Sequence, residues 1–328
     1  MSFENIKGHK TNIEWLKKMV DTNEIPSSIL FYGKDGIGKF LVAKEFAKSV
    51  LCKNKFEEMD AFFSLASSVP CCNNCDSCRM FDSYVHPDFL LVDFNFQANL
   101  LGEKLNEQKN LKIETLREAI KFANLKPSFG KRKVIIINDA DKMTVDAQNS
   151  VLKTLEEPYP GTLLILVSSF HNMLLSTILS RCFKIHFNKL DQSSVMDVLI
   201  EKGYEFKRAE LLSGISEGSV SNAIKYEWVL NLFGEYKNYK ELAPFMIVSK
   251  ISKSPDFREI SLTILNFINS FLYSKISKYD RNRVVEFIKE NSKYIDYLKH
   301  NVNTKVVLSI ALYKFISDFN FLEQGVKI

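Results

Sequence analysis

The sequence predicts an α/β fold, a mostly parallel five-stranded sheet flanked by helices, followed by a C-terminal part that is helical throughout. Three observations carry this. The stretch from Ser28 to Phe40, SILFYGKDGIGKF, has the form of a buried strand, a glycine-rich turn and a helix start. Three more short apolar runs, near 89–92, 134–137 and 163–167, and a further strand at 184–187, alternate with segments of helical periodicity. Strands that alternate with helices form parallel sheets, whose function sits at the carboxyl ends of the strands. From Asp191 onward the only periodicity is helical.

A chain of 328 residues is long enough for two or three domains, each with its own core. Its 46% hydrophobic and 25% charged residues are ordinary for a soluble globular protein. The net charge of +5 is too diffuse to argue for nucleic-acid binding by itself. The densest basic cluster, Lys131, Arg132 and Lys133, reads first as a solvated approach to a strand and second as a phosphate contact. The opening residues MSFENIKGHK lack the apolar core of a signal peptide, and no stretch reaches the roughly 18 apolar residues of a membrane span. A cytoplasmic protein is expected. Thiols stay reduced there, so six cysteines, four of them crowded between Cys71 and Cys78, argue for metal rather than disulfides.

Taken in order, Ile13, Leu16, Lys17 and Val20, with Trp15 beside them, predict a helix that Pro26 closes. Ile29, Leu30, Phe31 and Tyr32 suit a strand buried on both faces. The loop from Gly33 to Lys39 fits the phosphate-binding pattern G-x-x-x-x-G-K. Gly33, Gly36 and Gly38 let backbone N–H groups converge on phosphate oxygens, a helix N-terminus adds partial positive charge, and Lys39 has the reach for the outer phosphates. The next position should carry the hydroxyl that ligates magnesium, and this chain has Phe40. Ala43, Phe46, Ala47, Val50 and Leu51 then form one apolar helix face against the sheet.

Cys52 ends that helix, and Cys72, Cys75 and Cys78 follow as C-x2-C-x2-C. Two-residue spacings bring thiolates to one tetrahedral centre, and four sulfurs make a closed, structural zinc site with no open position for water. Cys71 and His86 stand as alternatives to Cys52 for the fourth ligand. His86-Pro87-Asp88 leads into the second strand, Phe89 to Val92, and the polar stretch from Asn95 to Asn110 reads as a surface loop. Ile113, Leu116, Ile120 and Ala123 give a helix that ends near Pro127.

The third strand, Val134 to Ile137, runs into Asn138, Asp139, Ala140 and Asp141. Four apolar residues followed by an acid resemble the second nucleotide-site motif, whose first Asp orients magnesium and whose following Glu prepares the attacking water. Asp139 takes the first place and Ala140 the second, and alanine cannot position water. A helix from Thr144 to Glu157 stops at Pro158. The fourth strand, Leu163 to Val167, ends in Ser168 and Ser169. Ser180, Arg181 and Cys182 precede the fifth, Lys184 to Phe187. Beyond these come short helices around Val195 to Leu199, Ala209 to Leu212 and Gly218 to Ala223, then long amphipathic stretches holding Ile264, Leu265, Ile268 and Leu272, then Val284, Val285 and Ile288, then Val307, Ile310, Ala311 and Ile316.

These motifs together resemble the delta-prime family of bacterial DNA polymerase III clamp-loader subunits, within the AAA+ superfamily. The most specific are the Lys39 loop, the cysteines 52, 72, 75 and 78 followed by His86-Pro87-Asp88, the LKTLEEP run from Leu152 to Pro158, and Ser180-Arg181-Cys182. The resemblance implies an AAA+ P-loop domain over residues 1–188 with an inserted zinc module at about 52–80, a small helical lid over 189–228, and a helical collar over 229–328. It also implies that Arg181 is an arginine finger, reaching the γ-phosphate of ATP in a neighbouring motor subunit. Phe40, Ala140 and Ser221, the last standing where active relatives carry a lid arginine, imply a chain that binds ATP weakly or not at all and does not hydrolyse it. Ser168 or Ser169 is left as a polar sensor. The expected partners are motor (gamma/tau-type) and delta subunits in a ring of five, the sliding clamp, and primed DNA through the complex, with no membrane. An active motor subunit of the same loader, and a zinc-containing DNA-binding factor, are the rival readings.

Overall fold

The strand that enters the glycine-rich loop lies inside a parallel sheet and is covered on both sides. The computed structural model describes residues 3–53, 71–300, 302–319 and 321, so most of the polar excursion between Cys52 and Cys72 lies outside the described residues. The chain divides into two compact units, Met1–Lys189 and Leu190–Ile328.

In the first unit, α1 (Lys10–Asp21) leads to β1 (Ser28–Gly33), α2 (Lys39–Leu51) and α3 (Asp76–Asp82). Next come β2 (Phe89–Val92), α4 (Phe94–Leu101), α5 (Ile113–Ala123) and β3 (Lys133–Ile137). The unit closes with α6 (Val145–Glu156), β4 (Thr162–Ser168), α7 (Ser176–Leu179) and β5 (Phe183–Phe187). The sheet order is β2-β3-β4-β1-β5, with every neighbouring pair parallel. β1 and β4 are adjacent, yet the chain leaves β1 toward β2 at one edge and leaves β4 toward β5 at the other. A crevice opens at the carboxyl ends of strands where connections diverge in this way.

The two faces of β1 feed two cores. Ile29 and Phe31 join Ile13, Leu16, Val42 and Phe46 on the side of α1 and α2. Leu30 joins Leu116, Ile135, Val151 and Leu164 on the side of α5 and α6. At the edge, β5 turns only Ile185 and Phe187 inward.

In the first unit two expectations change. The stretch taken as a surface loop from Asn95 to Asn110 begins as helix α4, because Asp93 Oδ1 caps it by accepting from Phe96 N at 2.8 Å and Gly102 closes it with φ +67°. Buried Gln97 then fastens the return, donating to Asn110 O and accepting from Lys112 N and Thr115 Oγ1. Of the basic cluster at 131–133, only Lys131 is left exposed. Arg132 donates to Asn23 O and Oδ1 at 3.1 Å, and Lys133 is buried with its Nζ 3.7 Å from Asp88 Oδ1.

Asp88 is wholly buried and accepts from the N–H groups of Ser128, Phe129 and Gly130 at 2.6, 2.7 and 2.9 Å. Burial pushes its carboxyl upward, but these three donors and Lys133 outweigh it and hold the group below the ordinary carboxylate range. His-Pro-Asp is therefore a structural clamp between β2 and the loop before β3.

The second unit holds α8 (Gln192–Glu201), α9 (Phe206–Ile215), α10 (Val220–Tyr236), α11 (Ala243–Ile251), α12 (Phe257–Ser274), α13 (Arg281–Lys299) and α14 (Thr304–Phe319). One apolar cluster runs from Leu190 to Phe321, and α10 crosses the division expected at 228/229. Phe321 lies centrally in it, its ring 4.7–5.0 Å from those of Phe233, Phe271 and Phe315. Val285 and Ile310, expected on core faces, are exposed at 39% and 43%.

Asp88→Asn strands the buried Lys133 ammonium and should lower unfolding stability by about 3 kcal/mol in urea titrations at pH 7. Folded Asp88 titrates below 3.8, so its contribution is full above that value and is lost as pH falls through the folded value. The difference between the two forms should therefore shrink in acid, and an equal difference at pH 7 and pH 3 would contradict this role.

Candidate nucleotide-type site and metal centre

The phosphate-type loop is shaped by two close constraints. Gly33 pairs with Phe187 of β5, and a Cβ on it would stand 2.3 Å from the Phe187 carbonyl oxygen, so no side chain fits. Gly38 caps α2 with φ +100°, a conformation that L side chains rarely adopt. Outside the loop, His9 Nε2–H donates to Ile37 O at 2.7 Å. Burial lowers the His9 pKa, with the hydrogen bond to Ile37 opposing.

Lys39 is 4% exposed, and its ammonium is fully engaged inside its own chain. It donates to Gly33 O at 2.8 Å, to Lys34 O at 2.6 Å and to Ser169 Oγ at 3.2 Å. An ammonium has three donors, and here each has an acceptor. Burial depresses its pKa, with Asp35, Asp141 and Asp139 opposing. Asp141 Oδ1 accepts from Ser169 N at 2.7 Å, so the ends of β3, β4 and β1 are joined through Asp141, Ser169 and Lys39.

Of the two serines left open as sensor, Ser169 meets Lys39, while Ser168 is buried in the sheet. Asp139 has φ +52°, lies 3.9 Å from Lys142 Nζ, and has its pKa raised by burial. Phe40, at the position of the magnesium hydroxyl, packs against the core on the α2 side, and Ala140 is fully buried on the other. Ser221 lies in the first turn of α10 in the second unit, beside the capping Ser219.

Arg181 follows α7 with its backbone fixed and its side chain at the surface. Its carbonyl accepts from Ser28 Oγ at 2.8 Å, and the next residue, Cys182, is buried, which pushes its thiol up to about 11. The guanidinium reaches Glu156 Oε1 at 2.7 Å through Nη2. Nη1 donates to Thr177 O at 2.9 Å and to Ser180 Oγ at 3.2 Å. Glu156 was visible only as part of LKTLEEP, with no local signal to pair it with a residue 25 positions on.

The Sγ atoms of Cys52, Cys72, Cys75 and Cys78 all lie within 4.8 Å of one another. The separations Cys52–Cys72, Cys52–Cys75 and Cys72–Cys78 are 3.6, 4.0 and 4.0 Å. Tetrahedral zinc bonded at about 2.3 Å sets sulfurs about 3.8 Å apart, so the quartet has the dimensions of a tetrathiolate metal site. Cys72 N–H and Cys75 N–H point at the sulfurs of Cys52 and Cys72 at 3.4 and 3.3 Å, a contact that favours thiolate.

The rival ligands are engaged elsewhere. Cys71 Sγ donates to Asn73 Oδ1 at 3.2 Å, and His86 spends Nε2 on Ser77 Oγ and Nδ1 on Asp88 N. Buried Lys48 ties the knuckle to α2 and α3 through Asn73 Oδ1 and Asp82 Oδ2, both at 2.7 Å.

Residues 8–191, more than half of the chain, match the family model described as DNA polymerase III, delta subunit. The chain belongs to this family. A relative named DNA polymerase III subunit delta′ from Bacillus subtilis is 32% identical over 210 residues, 64% of this chain and 56% of that protein. Another of the same name from Pseudomonas aeruginosa is 31% identical over 153 residues, 47% of this chain and 40% of that one. A DNA polymerase III subunit gamma/tau from Mycoplasma genitalium is 26% identical over 251 residues, 74% of this chain and 36% of that one. The chain thus spans about half the length of the delta′ relatives it matches. Its matched part holds the parallel sheet, the Lys39 loop, the cysteine quartet and Arg181, so the family likeness and the candidate site coincide.

Lys39 reads as an internal brace of the loop. Lys39→Met and Lys39→Ala should each lower stability by about 2 kcal/mol in unfolding without nucleotide, the range for hydrogen bonds of a charged group. Unchanged melting in both would show that the three acceptors do not need the ammonium.

Proposed function

We propose that this chain is a non-hydrolysing, delta-prime-type subunit of a DNA polymerase III clamp loader. It contributes structure to the ring and supplies Arg181 in trans to an ATP-bound motor neighbour. The observation that carries this reading is the contrast between the two halves of its nucleotide chemistry. In cis, Lys39 has all three donors occupied by its own chain, a phenyl ring replaces the magnesium hydroxyl, and a buried methyl replaces the water-orienting carboxylate. In trans, Arg181 keeps an always charged planar fork on a fixed backbone at the surface.

In this reading the motor (gamma/tau-type) and delta subunits complete a ring of five, which loads the sliding clamp onto primed DNA. The second unit supplies the lid and collar that hold the ring. The α14 residues Val306, Ile310 and Tyr313, exposed at 53%, 43% and 45% and spaced at i, i+4 and i+7, offer an apolar stripe suited to a neighbouring helix. Zinc held by Cys52, Cys72, Cys75 and Cys78 acts as a staple, with no coordination position left for chemistry. Among the described residues no helix is long and apolar enough to cross a membrane.

Two measurements test this. Reconstituted with motor and delta subunits, the assembly carrying Arg181→Ala should lose at least tenfold in ATP turnover without dispersing, while the chain alone shows no turnover. Hydrolysis by the chain alone would restore the motor reading. Removing the metal by chelation should lower the melting temperature of the first unit by several degrees, since metal binding contributes directly to folding. Unchanged melting with the metal shown to be gone would sink the staple.

A further inference from the structure

We propose that Glu156 is a positioning residue that stores the Arg181 finger in cis, holding it on its own subunit until a phosphate of the neighbouring site draws it away. This rests on the reading of Arg181 as a trans-acting finger. The guanidinium is held at three atoms: Glu156 Oε1, Thr177 O and Ser180 Oγ. The backbone beneath it is fixed at three points. Arg181 N–H donates to Ile178 O at 3.0 Å, Arg181 O accepts from Ser28 Oγ, and Cys182 is sunk in the core. The two charged ends are free to part, since Arg181 is 34% and Glu156 49% exposed. Only the side chain can swing, so the stored and extended states differ by rotamer and not by fold.

The place of Glu156 suits a latch better than a permanent anchor. It is the last residue of α6, where the helix dipole disfavours a carboxylate and favours a cation. Arg181 is therefore welcome there, while Glu156 gains from it. An exposed pair of this kind holds its partner by no more than about fivefold, whereas a phosphate offers more charge and a bidentate match to the fork. The latch is strong enough to choose the resting position and too weak to resist an ATP-bound neighbour. Its cost appears as an apparent affinity reduced by the fraction of fingers released.

The test has two arms. In the full chain carrying 15N-labelled arginine, Arg181 should show hindered guanidinium rotation by NMR, and Glu156→Gln should abolish it. In the reconstituted assembly, Glu156→Gln should lower the ATP concentration for half-maximal turnover two- to fivefold with kcat little changed, while Glu156→Asp, which keeps the charge, should lie between the two. Unaltered Arg181 signals, or a half-saturating ATP concentration that is unchanged or raised, would overturn the latch. If Arg181→Ala suppresses turnover but Glu156→Gln does nothing, the latch alone fails. If Arg181→Ala leaves turnover intact, the finger reading fails and takes the latch with it.

Discussion

The ammonium of Lys39 sits where β1, β4 and the glycine-rich loop converge, and the carboxyl end of the sheet is organised around its three hydrogen bonds. In a loop built to receive phosphate, that charge would be held for the ligand. Here two backbone carbonyls of the loop and the Ser169 hydroxyl take it up, and Asp141 in turn fixes Ser169 from the end of β3. A buried ammonium is costly unless its donors are matched. Matching them internally satisfies the ammonium within the chain. Phe40 and Ala140 beside it pack against the two apolar clusters that flank the sheet.

Helix α2 connects this loop to the metal centre. Lys39 starts it and Cys52 follows its last residue, so its 13 residues, about 20 Å of rigid rod, join the two features. The far end is fixed twice, by the Cys52 thiol in the quartet and, one turn earlier, by Lys48 on Asn73 and Asp82. The cysteine quartet and Lys48 thus fix the far end of the helix that carries the loop.

The strands, their parallel arrangement and the cysteine triplet 72, 75 and 78 are legible in the sequence because each rests on local pattern. Buried runs such as Val134 to Ile137 and spacings such as C-x2-C need only neighbours along the chain. What could not be read depends on partners far apart in sequence. Lys133 looked like one of three solvated bases until Asp88, 45 positions earlier, was found beside it. His86 and Cys71 were possible ligands until Ser77, Asp88 and Asn73 were seen to occupy them. The helix after β2 was hidden by its polar composition, although its cap Asp93 and its closing Gly102 were both in view. Glu156 lies within the LKTLEEP motif, but nothing local links it to Arg181.

The two ends of this site have followed different physical rules. A cis nucleotide site needs several groups at once, namely a free lysine, a hydroxyl for magnesium and a carboxylate for water, and losing any one removes most of the benefit of the others. An arginine acting in trans needs only a fixed backbone, a charge that cannot be lost and a path to its neighbour. Here Lys39 is hydrogen-bonded within its own chain, while Phe40 and Ala140 pack against apolar clusters. Arg181 is bonded through its backbone and leaves its guanidinium at the surface. If Arg181 acts in trans as proposed, the chain needs no turnover of its own to set that of the subunit beside it.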